Sequence, residues 1–188
     1  MRQILTRYLH ARGRDIRHLS RAAQGTTAVE FAIIAPAFIA TLIAVFQVCI
    51  FIFAQLAIQN AAVEAGRYFM TGQAQNGDWT ANNIITNVCT NTNLSLLFNC
   101  NNMYVVVQDY SSFAAANTSP PAMYNGNTPL NQSNYTFDST PPPGNVVVVQ
   151  LVYAWPVLSA PLGFNIANLP NNQAQLMGIS AFRVEPYL

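Results

Sequence analysis

Charge is scarce in this sequence: Lys, Arg, Asp and Glu together make up 8% of 188 residues, against about 25% in an ordinary soluble domain. Lysine is absent, and both histidines, His10 and His18, fall in the first 24 residues. From Gly25 onward only Arg67 and Arg183 are basic, opposed by Glu30, Glu64, Asp78, Asp109, Asp138 and Glu185. So few cations cannot neutralise a run of phosphates, which argues against nucleic acid as a partner. Without imidazole, the same stretch lacks the usual general base and the commonest metal ligand. It also has no nucleophile elbow and no phosphate loop. Asp109 and Asp138 are still available as carboxylates, but they flank loops, where turn-making is the plainer role. The expectation is a protein that is not an enzyme, with no catalytic residue, no metal site and no cofactor.

What is abundant is apolar surface, with 52% hydrophobic residues. The length suits one compact domain plus an appendage. Charge is distributed unevenly: six arginines against Asp15 give the first 24 residues +5, whereas two arginines against six acids leave the rest at −4. Between these blocks, residues 31–63 carry no charge, and Pro36, Thr41, Gln47 and Gln55 interrupt the apolar core of that run. About 20 apolar residues cross a bilayer at about 1.5 Å per residue, so the run predicts one transmembrane helix. A cleaved secretory signal is the competing reading, but its apolar region spans only about 7–15 residues. The arginine-rich start places the amino terminus in the cytoplasm by the positive-inside bias, and everything after about residue 65 outside. A bacterial inner-membrane, single-pass protein with a periplasmic domain is expected. Cys49 lies in the apolar run, whereas Cys89 and Cys100 fall in the exported part, where an oxidising compartment lets them pair.

Glu30 is a carboxylate at the very start of the apolar run. Inside hydrocarbon an ionised acid carries a penalty of about 2.5–3.5 kcal/mol, so it calls either for a partner or for a place at headgroup level near the positive end of the helix dipole. Its setting adds information. Gly25, Thr26, Thr27, Ala28, Val29 and Glu30 form a glycine, four uncharged residues and a glutamate, between a basic leader and an apolar helix. This resembles the cleavage site of type IV prepilins. The stretches GTTAVEFAIIAPAF at 25–38 and AAVEAGRYFMTGQAQ at 61–75 are similar to the two ends of the TadE-like domain of minor pseudopilins from the tight-adherence (Tad, or Flp) pilus. The ending Arg183, Val184, Glu185, Pro186, Tyr187 is also similar to the carboxy terminus of these proteins. The resemblance implies that a prepilin peptidase cuts between Gly25 and Thr26. Glu30, Phe31 and Pro36 would then serve assembly, with the new amino group of one subunit neutralising Glu30 of another. Its implied partners are that peptidase, other pilins and minor pseudopilins, the inner-membrane assembly platform and membrane lipid. A membrane-anchored binding or adhesion module that keeps its leader is the alternative.

Three segments are expected: a leader over 1–25, a pilin helix over 26–72 and an extracytoplasmic α+β domain over 73–188. After Gly72 the composition turns to Asn, Ser, Thr, Pro and Gly, with nineteen asparagines over 76–172, which predicts long loops. Asp78 is expected to cap a helix over 79–88. Residues 103–109, 145–155 and 177–185 are rich in β-branched and aromatic types and read as three strands of one antiparallel sheet. The outer end of the long helix, over 57–68, is the natural cover for it. The predicted class is therefore α+β, with a long N-terminal transmembrane helix packed at its outer end on a small sheet, as in pilins. Residues 111–128 and 129–144 read as loops, functional or mobile, and their aromatics as packed on the domain or adhesive. Glu64, Arg67, Arg183 and Glu185 are expected to form structural ion pairs or a docking cluster.

Overall fold

The computed structural model describes residues 25–158 and 163–185, together with the helical backbone that precedes them. Side chains of the arginine-rich leader, and Pro186 and Tyr187 of the ending, lie outside the described residues. Helix α1 (Arg2–Met70) contains Pro36 and ends with Arg67 in its last turn, where a cation complements the carbonyl end. Gly72 stops it in the left-handed conformation at φ 72° that glycine adopts without a Cβ clash.

The chain packs as two units, 1–45 and 46–188. In the first, Phe31, Ile33, Ile34 and Phe38 are exposed large apolar side chains. Within α1, Gly25–Met70 is long and apolar enough to cross a membrane. Thr41, inside this stretch, satisfies its hydroxyl on the Ala37 carbonyl at 2.9 Å, as a polar group surrounded by hydrocarbon must.

The second unit is built on a three-stranded antiparallel sheet in the order β1 (Met103–Tyr110), β4 (Val146–Pro156), β5 (Gln173–Arg183). The register pairs Val107 with Val149 and Val149 with Ser180. The central strand β4 is buried from Val146 to Tyr153, the pattern of a strand covered on both faces. One face carries Val105, Val107, Val149, Leu151 and Leu176 and packs in one core with Ile58, Ala61, Ala62, Ala65 and Phe69 of α1. Helix α3 (Ala81–Asn91) adds Ile84, Ile85 and Val88 to that core. The opposite face is met by the loop over 111–128, where Gln150 donates to the Ser119 carbonyl at 3.1 Å and Gln175 to that of Pro121 at 2.8 Å. A small hairpin, β2 (Tyr124–Asn125) and β3 (Thr128–Pro129), follows. Of the two long loops of the sequence analysis, 111–128 thus covers this second face and 129–144 runs along the β1 edge, where Val107 bridges Phe137.

Several expectations are corrected in detail. Thr80, not Asp78, caps α3: its side chain accepts from the Asn83 amide while Asn83 reaches back to the Thr80 amide at 2.9 Å, a reciprocal capping box. Asp78 instead takes a left-handed turn at φ 48°. The helix therefore starts two residues later than expected and runs to Asn91, and strand β5 starts at Gln173 and ends at Arg183 rather than covering 177–185. The short helix α2 (Gln73–Asn76) links α1 to this region. Cys89 and Cys100 are joined by a disulfide between α3 and the turn before β1, a closure worth roughly 3 kcal/mol on the chain-entropy estimate.

Candidate processing and assembly site

Gly25, Thr26, Glu30, Phe31 and Pro36 all lie in α1 and all are exposed. Beyond its neighbours in the helix, no atom stands within 4 Å of where a side chain at Gly25 would project, so that side of the helix is open to approach. The segment is helical, however, and a protease that reads extended chain must unwind it first. Glycine makes that easier by roughly 0.5–1 kcal/mol relative to alanine. Among the described residues Glu30 has no hydrogen-bond or ion-pair partner. Pro36 supplies no amide to the Ala32 carbonyl, a point of weakness in the helix ladder.

The four charges expected as a cluster are not brought together. Arg67 pairs with Glu64 at 3.1 Å one turn away on α1, an exposed contact contributing about 0.3–0.5 kcal/mol. Arg183 stands opposite Val146 in the sheet, and neither it nor Glu185 joins an ion pair among the described residues. Both side chains are exposed, and Glu185 lies beyond the end of β5. Asp109 and Asp138 share a shallow depression with Tyr110 and Phe137. The Asp138 carboxylate accepts from the Thr140 amide at 3.0 Å, a local turn contact, whereas that of Asp109, inside β1, accepts from the Asn145 side chain at 2.6 Å across to the start of β4 and not in a turn.

Most loop aromatics are held by the domain. Phe137 meets Phe69 edge to face at 6.3 Å and Tyr135 lies against Tyr104 at 5.5 Å, whereas Phe113 is exposed. Burial pushes the Tyr135 hydroxyl up to about 12, with Tyr104 adding to the effect. The Tyr68 hydroxyl is also raised by burial, against the opposing hydrogen bond from Asn91.

Glutamines carry a role that the sequence reading missed. Gln59 holds Ile179 of β5 by both amide and carbonyl, at 3.1 and 2.8 Å, and Gln55 donates to Met177 at 2.7 Å. On the other edge Gln132 holds Val105 of β1 in the same two-point way, at 3.0 and 2.7 Å. The signal was available: Gln55 and Gln59 stand four apart on one helix face, and a primary amide both donates and accepts.

A helix long and apolar enough to span a bilayer, followed by an α+β unit packed on its C-terminal part, defines a membrane-anchored protein. Within that class, residues 25–67 match the model of the TadE-like protein family. The chain thus carries a TadE-like segment, which associates it with the Tad pilus. No curated protein and no solved structure matches the chain.

Proposed function

We propose that this protein is a minor pseudopilin that takes part in assembling a tight-adherence pilus, as an initiating, tip or base component, after a prepilin peptidase cuts between Gly25 and Thr26. The observation that carries the reading is that the TadE-like match begins at Gly25, the residue at which the prepilin-like pattern places the cut. Hydrolysis of the Gly25–Thr26 peptide bond leaves a carboxylate on the leader and a free α-amino group on Thr26. That amino group and Glu30 of a neighbouring subunit would neutralise each other in a helical bundle, where a charge is tolerated only when paired. Glu30 has no partner among the described residues, which leaves it available for such a contact. Its partners on this reading are the peptidase, other pilins and the inner-membrane assembly platform, with the amino terminus cytoplasmic and the α+β domain periplasmic. The protein acts through assembly and not as an enzyme.

Mass spectrometry of the membrane-extracted protein tests the reading, beside a Gly25→Val variant. A start at Thr26 that disappears in the variant is the expected result. An intact Met1 in the unaltered protein would instead return it to the class of anchored modules that keep their leader.

A further inference from the structure

We propose that the end of the α+β unit nearest Gln47 is a lipid-contacting face that rests in the outer leaflet of the membrane that α1 crosses. The proposal rests on the reading of the apolar run as a membrane span. Its independent grounds are the distribution of charge over the unit, the exposed Leu158 and Phe164 at its uncharged end, and a hydrogen bond that fixes the level of that end along the helix.

Polarity along the unit follows from three contacts. Going up α1, Gln47 meets the Leu158 carbonyl, Gln55 meets Met177 and Gln59 meets Ile179. Gly66 then packs on Ser180 and Phe182. The Gln47 end therefore holds the start of β5 and the end of β4, and the far end holds Val146, Arg183 and Tyr110 in register.

All seven charged residues of the unit lie toward the far end. Asp109 and Arg183 stand opposite Val147 and Val146. Asp138 donates its amide to the Val107 carbonyl, and Glu185 follows Arg183. Glu64 and Arg67 flank Gly66, and Asp78 precedes Trp79, whose ring stacks on Tyr68. The sequence between Asp138 and Arg183 contains no charge at all.

The near end is uncharged and sets large exposed apolar side chains among the exposed amides of Asn165, Asn168, Asn171 and Asn172. Leu158 is 73% exposed, and Phe164 is also exposed in the connection that leaves β4 and returns to β5. That connection closes where the Val157 amide donates to the Asn172 carbonyl at 2.8 Å. Phe98 stacks on Tyr153 and Trp155 near the end of β4, which brings the preceding turn to the same end. That turn exposes Leu96 to 86% and, less fully, Leu97.

Length places this end at the bilayer. A hydrocarbon core of about 30 Å takes about 20 helical residues, so a span that begins at Phe31 ends near Ile50. Gln47 stands about one turn short of that point, and its 3.0 Å bond to the Leu158 carbonyl brings Leu158 to the same depth. Exposed Phe53 and Leu56 continue the apolar surface further along the helix. Interfacial elements bury their apolar side about 5–10 Å into the boundary of headgroups and chains. A backbone carbonyl at that depth needs a donor from the protein, because lipid offers none, and Gln47 supplies it.

The test uses the full chain with Cys49→Ala, reconstituted in phosphatidylethanolamine–phosphatidylglycerol vesicles whose acyl chains carry bromine. An environment-sensitive fluorophore is attached to a single cysteine in four variants: Leu158→Cys, Phe164→Cys, Thr140→Cys at the charged end, and Ile43→Cys in the span. An intact Cys89–Cys100 disulfide confirms folding of each variant. The expected result is quenching at 158 and 164 several-fold stronger than at 140 and approaching that at 43. Quenching at 158 and 164 no stronger than at 140, with 43 quenched, overturns the lipid-facing end and keeps the span. Absence of quenching at 43 as well removes the span itself and this proposal with it.

Discussion

At Gly178 the sheet crosses close against the backbone of α1. A Cβ there would stand 2.2 Å from the Ile58 carbonyl oxygen and 2.7 Å from its carbon, and backbone cannot rotate out of the way as a side chain can. Gly178→Ala should therefore destabilise the domain at or above the upper end of the roughly 1–3 kcal/mol typical of overpacking. A denaturant titration in detergent that leaves the midpoint unchanged would contradict this close crossing. Gly66, the reciprocal position on α1, meets only the Ser180 side chain and Phe182, so its replacement by alanine has more room to relax. Tyr135 supplies a pH prediction at the same scale. Its hydroxyl titrates near 10.0 in the unfolded chain and about 12 in the folded one, because burial disfavours the phenolate. Through that window the folded chain keeps a proton that the unfolded chain has released, so stability is intact below pH 10 and falls as pH rises from about 10 to about 12. Urea midpoints recorded across this range should drop, and Tyr135→Phe should flatten the drop.

At the scale of elements, α1 and the segment around Gln132 serve as covers for sheet edges. An uncovered edge strand is a template for pairing with another chain. Gln55 and Gln59 are four residues apart, about 6 Å along a helix, while Met177 and Ile179 are two apart, about 7 Å along a strand. That match lets one helix face hold alternate backbone groups of β5. Gln59→Leu leaves the Ile179 amide and carbonyl without their partners and should cost about 1–3 kcal/mol. It should also raise the oligomeric mass seen by light scattering in detergent, and an unchanged mass with unchanged stability would refute the edge-cover role. These elements differed in how far the sequence revealed them. The valine-rich strands were legible because β-branched runs stood out from their flanks, Asn and Ser around β1 and Gly144 and Pro156 around β4. The start of β5 was not, since Gln173, Ala174 and Gln175 look like more loop. The choice of Thr80 over Asp78 as cap depended on Asn83 three residues on, a partner that composition does not single out. Gln47 and Gln55 read as interruptions of an apolar run and Gln59 was not singled out, because the backbone groups they satisfy lie more than a hundred residues away.

At the scale of the molecule, the apolar run does two jobs, and the second unit shows where one gives way to the other. Up to Val45 the helix packs as a unit of its own, whereas from Phe46 it belongs to the folded unit. The helix from Ala54 to Phe69 supplies fully buried side chains to the core, among them Ile58 and Phe69, two of the largest. A hydropathy reading sees one continuous stretch, since lipid and protein core select the same residue types. The segregation of charge to one end of the unit was likewise invisible, because its members are scattered from Glu64 to Glu185 in sequence. Two truncations separate the roles. A chain beginning at Phe46 keeps every helix residue of the core and both edge glutamines, so in mild detergent it should form the Cys89–Cys100 disulfide and show a cooperative thermal transition. A chain beginning at Gln73 loses the helix cover and exposes the apolar face of the sheet together with the β5 edge. Deleting that many buried side chains removes far more than the roughly 5–15 kcal/mol by which domains are stable, so this chain should aggregate or stay non-cooperative. Near-ultraviolet circular dichroism and thiol counting on both truncated chains decide the matter, and a folded product from the shorter chain would show that the helix is an anchor alone and not part of the core.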